Sequence, residues 1–261
     1  MSPGKTLVFV LAQFIAVALT GPSAATDGIG IVLLHGKQGM PDSTNMSSLT
    51  ESLTKAGLLL ERPEMCWSRS RIYDRPYSDC LQDIDAAVER LKSRGASVIV
   101  IAGQSLGANA AIAYGVSRKH VAGIIGMAPA HDPQQFGRRK SIVESLARAR
   151  SLVAKGKGNV PAAFADVNTG RDFSVKTTPT IYLSFFSPDG PAALRANTAR
   201  LRVPLLWIAG KADFTQNNAR AIFGTARNPK NLYQTVSTDH LRTPDASAGV
   251  ILPWLKRIAQ Q

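Results

Sequence analysis

The segment Gly103-Gln104-Ser105-Leu106-Gly107 constrains this chain more than any other. Ahead of it, Ser97-Val-Ile-Val-Ile-Ala102 has the composition of a strand, and behind it Ala108-Asn-Ala-Ala-Ile-Ala-Tyr114 reads as a helix. A G-x-S-x-G run between strand and helix puts the serine on a sharp, strained turn with its hydroxyl clear of the sheet edge. Small residues are needed two before and two after it, because the two backbones crowd there. The bare pattern recurs by chance in Gly/Ser-rich chains. Flanked in this way, it singles out Ser105 as a candidate nucleophile.

A serine hydroxyl attacks poorly at neutral pH without a base to take its proton and an acid to orient that base. The chain has four histidines, so elimination is practical. His35 ends the first apolar run, His120 sits in a polar Arg-Lys-His turn, and His131 follows the strand after Ser105. His240, in Ser237-Thr-Asp-His-Leu241, is the one late enough for the order serine, acid, histidine. The acid should follow the preceding strand, and Leu206-Trp-Ile-Ala-Gly-Lys-Ala-Asp213 offers Asp213. Asp132, after an earlier strand, is the rival, and either aspartate is also a natural helix N-cap. An oxyanion formed at the site would need backbone N–H donors. Leu106 supplies one, and Lys37 in His35-Gly36-Lys37-Gln38-Gly39 is the expected second, through its backbone. A purely structural glycine turn is the alternative reading of that loop.

Buried β-branched runs at 28–34, 98–102, 121–127, 204–209 and 232–236 read as strands, with 58–60 a further one. Helices are expected at 45–56, 77–94 and 246–259. In 77–94 the apolar Leu81, Ile84, Ala87, Val88 and Leu91 recur every three or four residues. Strands alternating with helices predict a parallel sheet with helices on both faces. About 75 residues separate Met127 from Pro204, more than one crossover needs, so a cap is expected at roughly 130–190. Its first half is basic. Arg138, Arg139, Lys140, Arg148, Arg150, Lys155 and Lys157 face only Glu144, while Ile142, Leu146, Ala149 and Val153 keep helical spacing. Such a face either grips an anionic substrate or surface, or is simply solvated. The run 181–186 fits a strand or a cap segment, and a helix is expected to follow from 187 through Leu201.

Residues 1–25 have the three parts of a secretory leader: Lys5, an apolar stretch from Thr6 to Leu19, and Ser23-Ala24-Ala25 before a cleavage site. The apolar stretch is short for a membrane span. Residues 26–261 then form one domain of a periplasmic or secreted protein. Export would permit a disulfide between the two cysteines, Cys66 and Cys80, with two buried free thiols as the alternative. The net charge of +13, less that of Lys5, leaves +12 on the mature chain. That charge permits adsorption to anionic surfaces. No aromatic-interleaved basic stripe accompanies it, so no nucleic-acid partner is expected. Two cysteines and four scattered histidines do not make metal-ligand spacing.

His35-Gly36-x-x-Gly39, the elbow, the strand leading to Asp213, and His240 together resemble the α/β-hydrolase superfamily, over about residues 27–260. Exported bacterial serine esterases are the most similar members. The resemblance implies a sheet of the eight-strand type, mostly parallel, with helices on both faces and a small helical cap. It also implies no cofactor and an acyl-enzyme mechanism. Ser105, His240 and Asp213 would be nucleophile, base and orienting acid, and Lys37 and Leu106 the oxyanion donors. Gln104 stands where histidine is commoner, a change expected to be harmless. Haloalkane dehalogenation is excluded because it needs aspartate at position 105. The expected substrate is a small carboxylic ester of short or medium acyl chain. Amide hydrolysis or acyl transfer could use the same residues, and a non-catalytic binding protein on this fold is the alternative from another class.

Overall fold

The computed structural model describes residues 28–118, 120–213 and 218–259. The expected leader, 1–25, lies outside them. Six strands form a wholly parallel sheet in the order β2-β1-β3-β4-β7-β8. They are β1 (Ile29–Leu34), β2 (Leu59–Glu61), β3 (Val98–Gln104), β4 (Gly123–Met127), β7 (Leu205–Gly210) and β8 (Leu232–Val236). The expected strands are therefore present, but among the described residues the sheet has six of them rather than eight. All six residues of β1 and of β7 are buried. A parallel strand covered on both faces must read as a continuous apolar run, which is why these segments lack alternation.

The alternate side chains of each strand feed two cores. Ile29, Ile31, Leu33, Val100, Ala102, Ile125, Met127, Leu206 and Ile208 pack with α1 (Ser47–Lys55) and α9 (Ala248–Ala259). Val32, Leu34, Ile99, Ile101, Ile124, Leu205 and Trp207 pack with α2 (Tyr77–Ser93), α3 (Leu106–Ser117) and the cap. Helices thus cover both faces. In α3, every residue from Leu106 to Gly115 is buried, so the helix is enclosed all round rather than amphipathic.

The cap between β4 and β7 comprises α4 (Pro133–Phe136), α5 (Lys140–Ala154), the antiparallel pair β5 (Ala162–Asn168) and β6 (Arg171–Thr177), α6 (Pro179–Phe186) and α7 (Leu194–Arg200). It is not purely helical, as the resemblance implied. In α5, Ile142, Leu146 and Ala149 are buried as expected, but Val153 is exposed and Leu152 turns inward instead. The ambiguous run 181–186 is helix: Thr178 caps it by accepting from Ile181 N–H, and Pro179 fits the first turn. The helix expected from 187 begins only at Leu194. Cys66 and Cys80 are joined, Cα to Cα 5.7 Å, tying the loop after β2 to the start of α2. A short helix, α8 (Ala219–Phe223), lies between β7 and β8.

Candidate active site

The strand order reverses between β1 and β3, since the chain steps outward to β2 and returns on the other side of β1. Loops at the carboxyl ends of strands diverge at such a point and leave a crevice. Leu34 of β1 pairs with Gly103 of β3, so the turns carrying Lys37 and Ser105 leave the sheet side by side.

Ser105 has φ 56° and ψ −115°, a strained conformation for a residue with a side chain. Its N–H is held by the carbonyl of Met127, 3.0 Å away. The flanking glycines are required. A Cβ on Gly103 would strike the backbone of Gly107, and one on Gly107 would lie 2.6 Å from the carbonyls of Leu34 and His35.

His240 Nε2 lies 3.0 Å from Ser105 Oγ, and His240 Nδ1 lies 3.0 Å from Asp213 Oδ2. The carboxylate can only accept, so Nδ1 carries the proton and Nε2 presents its lone pair to the Ser105 hydroxyl. All three residues are buried. The rival acid is engaged elsewhere: Asp132 caps α4, accepting from Gln134 N–H at 3.1 Å. Burial raises its pKa, and the N–H groups of the helix start partly offset this.

Lys37 stands at the mouth of the same crevice, and its backbone N–H and that of Leu106 have no acceptor among the described residues. The loop around it is tightly held. Met65 N–H donates to His35 Nε2 at 3.0 Å, which leaves the proton on Nδ1 to be donated to the carbonyl of Gly36. Trp67 Nε1 donates to the carbonyl of His35, and Gln38 N–H to that of Trp67. The Lys37 side chain was not expected to matter, yet it is buried and ion-paired with Asp166 of β5 at 2.5 Å.

A cleft of about 230 Å³ opens over Ser105 and His240. Its lining mixes apolar side chains, among them Phe136, Val167, Leu194, Trp207 and Ile222, with the polar Lys37, His131, Gln135, Arg139 and Asn168. His131 Nε2 donates to the carbonyl of Phe185 at 2.9 Å. Its Nδ1, like Trp207 Nε1, is buried with no hydrogen-bond partner among the described residues. Burial, and then the nearby Lys37 ammonium, hold the His131 pKa well below the usual imidazole value. Of the seven expected cap cations only Arg139 lines the cleft, and it is paired with Asp172 of β6. Arg148 lies over the Phe164 ring. No group of three or more histidine, cysteine or acidic side chains that would hold a metal occurs among the described residues, and no described helix is long and apolar enough to cross a membrane.

The sequence profile of the family described as serine aminopeptidase, S33, matches residues 67–243, which span Ser105, Asp213 and His240. The chain belongs to this family. It is a serine hydrolase of the α/β-hydrolase superfamily. A comparison with curated proteins gives no match. Solved structures share the fold. One is from the metagenome-derived lipolytic enzymes LipS and LipT, at 20% identity and TM-score 0.60, covering 90% of this chain and 94% of that one. Another is Est1E from Butyrivibrio proteoclasticus with ferulic acid bound, at 17% and 0.63, covering 90% and 89%. A third is the monoacylglycerol lipase of Paleococcus ferrophilus, at 18% and 0.62, covering 88% and 94%.

Within this S33 hydrolase, two residues gain roles that the sequence reading missed. Gln104, taken as harmless, is buried and donates from Nε2 to the carbonyl of His240 at 3.2 Å. Asn109 of α3 donates to the carbonyls of His131 and Ala192 and accepts from Tyr77 Oη, pinning both ends of the cap to the elbow helix. An amide in the otherwise apolar stretch 106–115 was the available signal for Asn109.

Proposed function

We propose that the protein is an exported hydrolase of small carboxylic esters, with Ser105 as nucleophile, His240 as general base and acid, and Asp213 orienting His240. The observation that carries this reading is the imidazole of His240, which sits 3.0 Å from both Ser105 Oγ and Asp213 Oδ2. Ser105 Oγ attacks the ester carbonyl as its proton passes to His240 Nε2. The N–H groups of Leu106 and Lys37 hold the oxyanion. His240 then returns the proton to the leaving alkoxide, an acyl-enzyme remains on Ser105, and water activated by the same imidazole releases the acid. No step calls for a cofactor.

The modest volume of the cleft favours short or medium acyl chains, and the LipS/LipT, Est1E and monoacylglycerol lipase neighbours support ester chemistry. The family description favours a second reading, hydrolysis of an N-terminal peptide bond by the same residues. Export rests on the leader at 1–25 and on the Cys66–Cys80 pair. A fluorophosphonate probe should label the wild-type protein and not Ser105→Ala. A series of p-nitrophenyl esters from acetate to palmitate should show a maximum at or below medium length. Faster turnover of aminoacyl p-nitroanilides than of every ester would replace the ester reading with the peptidase one.

A further inference from the structure

Lys37 carries an unusual burden for a loop residue. Its side chain is 5% exposed and that of Asp166 is fully buried. The ammonium donates to Asp166 Oδ1 at 2.5 Å and to the carbonyl of Val167 at 2.8 Å, and lies 5.3 and 5.4 Å from the ring centres of Phe136 and Phe186. Asp166 is satisfied in turn. Val167 N–H reaches its Oδ1, and Tyr73 Oη donates to Oδ2 at 2.8 Å. Tyr73 belongs to the loop closed by the disulfide, and its own N–H donates to the carbonyl of Cys66.

A buried ion pair often gives no more stability than apolar side chains of similar volume would, and its best-attested use is to fix one arrangement against others. Here the arrangement is that of residues 35–39. Gln38 has φ +56°, a conformation that a side-chain-bearing residue holds only under restraint. Its neighbours' backbone bonds restrain the loop at Gly36, Gln38 and Gly39, but none of them involves the N–H of Lys37. The side chain is what anchors residue 37 itself. A second tether runs parallel to the first, from Asn168 Nδ2 to Gln38 Oε1 at 3.2 Å.

We infer that Asp166 is a positioning residue for the oxyanion site: from the cap strand β5 it holds the Lys37 side chain, and thereby fixes where the Lys37 backbone N–H points. This rests on the ester-hydrolase reading above. Asp166 and Tyr73 stand outside the cleft lining, so neither change removes a side chain that lines it.

The test measures kcat, KM and the affinity of a boronic acid, whose tetrahedral adduct on Ser105 mimics the oxyanion. Misplacing one oxyanion donor should cost about 10- to 100-fold. Asp166→Asn should therefore lose about that factor in kcat and in boronate affinity, with KM changed less than about threefold. Tyr73→Phe, a milder change, should move the same two quantities together by a few-fold. A merely structural role would lower the melting temperature and leave both untouched at temperatures where the variant is folded. If Asp166→Asn does not fold, Tyr73→Phe decides. Folded variants with wild-type kcat and boronate affinity overturn the inference. Failure of the fluorophosphonate to label wild-type Ser105 would instead overturn the functional reading, and the two failures are seen in different proteins.

Discussion

The side-chain amide of Gln104 donates to the carbonyl of His240 across 3.2 Å, joining the residue before the elbow serine to the backbone of the histidine that faces it. The same side chain blocks any Cβ at Gly36, so it wedges three loops together. Gln104→Ala should remove the wedge and let the imidazole drift. The expected result is a loss of about tenfold in kcat with little change in KM, since small displacements of a proton-transfer group are costly. Wild-type kcat in a folded Gln104→Ala protein would make the hydrogen bond incidental.

Asp213→Asn should lose about four powers of ten in kcat, because the amide can donate to His240 and favour the wrong tautomer. Asp132→Asn should stay close to wild type in activity and stability, since asparagine caps a helix as well as aspartate does. Steady-state kinetics on the pair checks both, and the reverse ranking would move the orienting acid to Asp132.

Removing the Cys66–Cys80 bond by replacing both residues with serine should cost about 3 kcal/mol of stability, from the entropy regained by the unfolded loop. Urea unfolding measures the cost. Because the closed loop holds Trp67 against His35 and Gln38 and Tyr73 against Asp166, turnover should fall as well. Alkylation of the native protein without reductant should add nothing to its mass.

His131 is buried, and its pKa lies well below its ordinary value of 6.5. Between those two values the unfolded chain binds a proton that the folded chain refuses. The stability from this group is therefore complete above about pH 6.5 and is lost as the pH falls below it, at up to about 1.4 kcal/mol per pH unit. His131→Gln, which keeps a donor for the Phe185 carbonyl, should flatten the acid limb by about one proton's worth of slope. His35, lowered chiefly by burial, should keep a limb of its own. Urea midpoints measured from pH 7.5 down to 5 provide the comparison, and identical slopes would remove His131 from the account.

Arg139 at the cleft mouth is neutralised by Asp172 in a half-exposed pair. Asp172→Asn should change stability little. It should raise kcat/KM for an anionic ester and steepen its decline with salt, because charges more than about 8 Å apart are screened at physiological ionic strength. A neutral ester should respond to neither change. Equal salt responses for the two esters in both proteins would leave the basic face of α5 as a solvated surface.

The sheet and the Ser105–His240–Asp213 constellation were legible because each depends on local pattern and chain order. Buried parallel strands are continuous apolar runs, and the elbow needs its glycines within two residues. The cap was not legible for equally physical reasons. The run 181–186 is β-like in composition, and only the Thr178 cap and Pro179 make it helical. The alternation in 162–177 is weak, yet Thr169-Gly170 turns it into a hairpin because both residues adopt positive φ. Asp166 meets Lys37 across 129 positions, and no periodicity announces such a pairing. The choice between Asp213 and Asp132 rested on strand order alone, and order says nothing of the 3.0 Å distance between Asp213 Oδ2 and His240 Nδ1.

The cap enters the chain once, after β4, and leaves it once, before β7. Topologically it is a replaceable cassette, and a designer seeking a new substrate range would be drawn to exchange it whole. The Lys37–Asp166 pair makes that exchange conditional. A donor cassette lacking a carboxylate at the place of Asp166 would leave a buried ammonium stranded in the recipient's core. Viable chimaeras therefore have to change residue 37 together with the graft, so the sequence of a loop after the first strand records which cap the protein was built to wear.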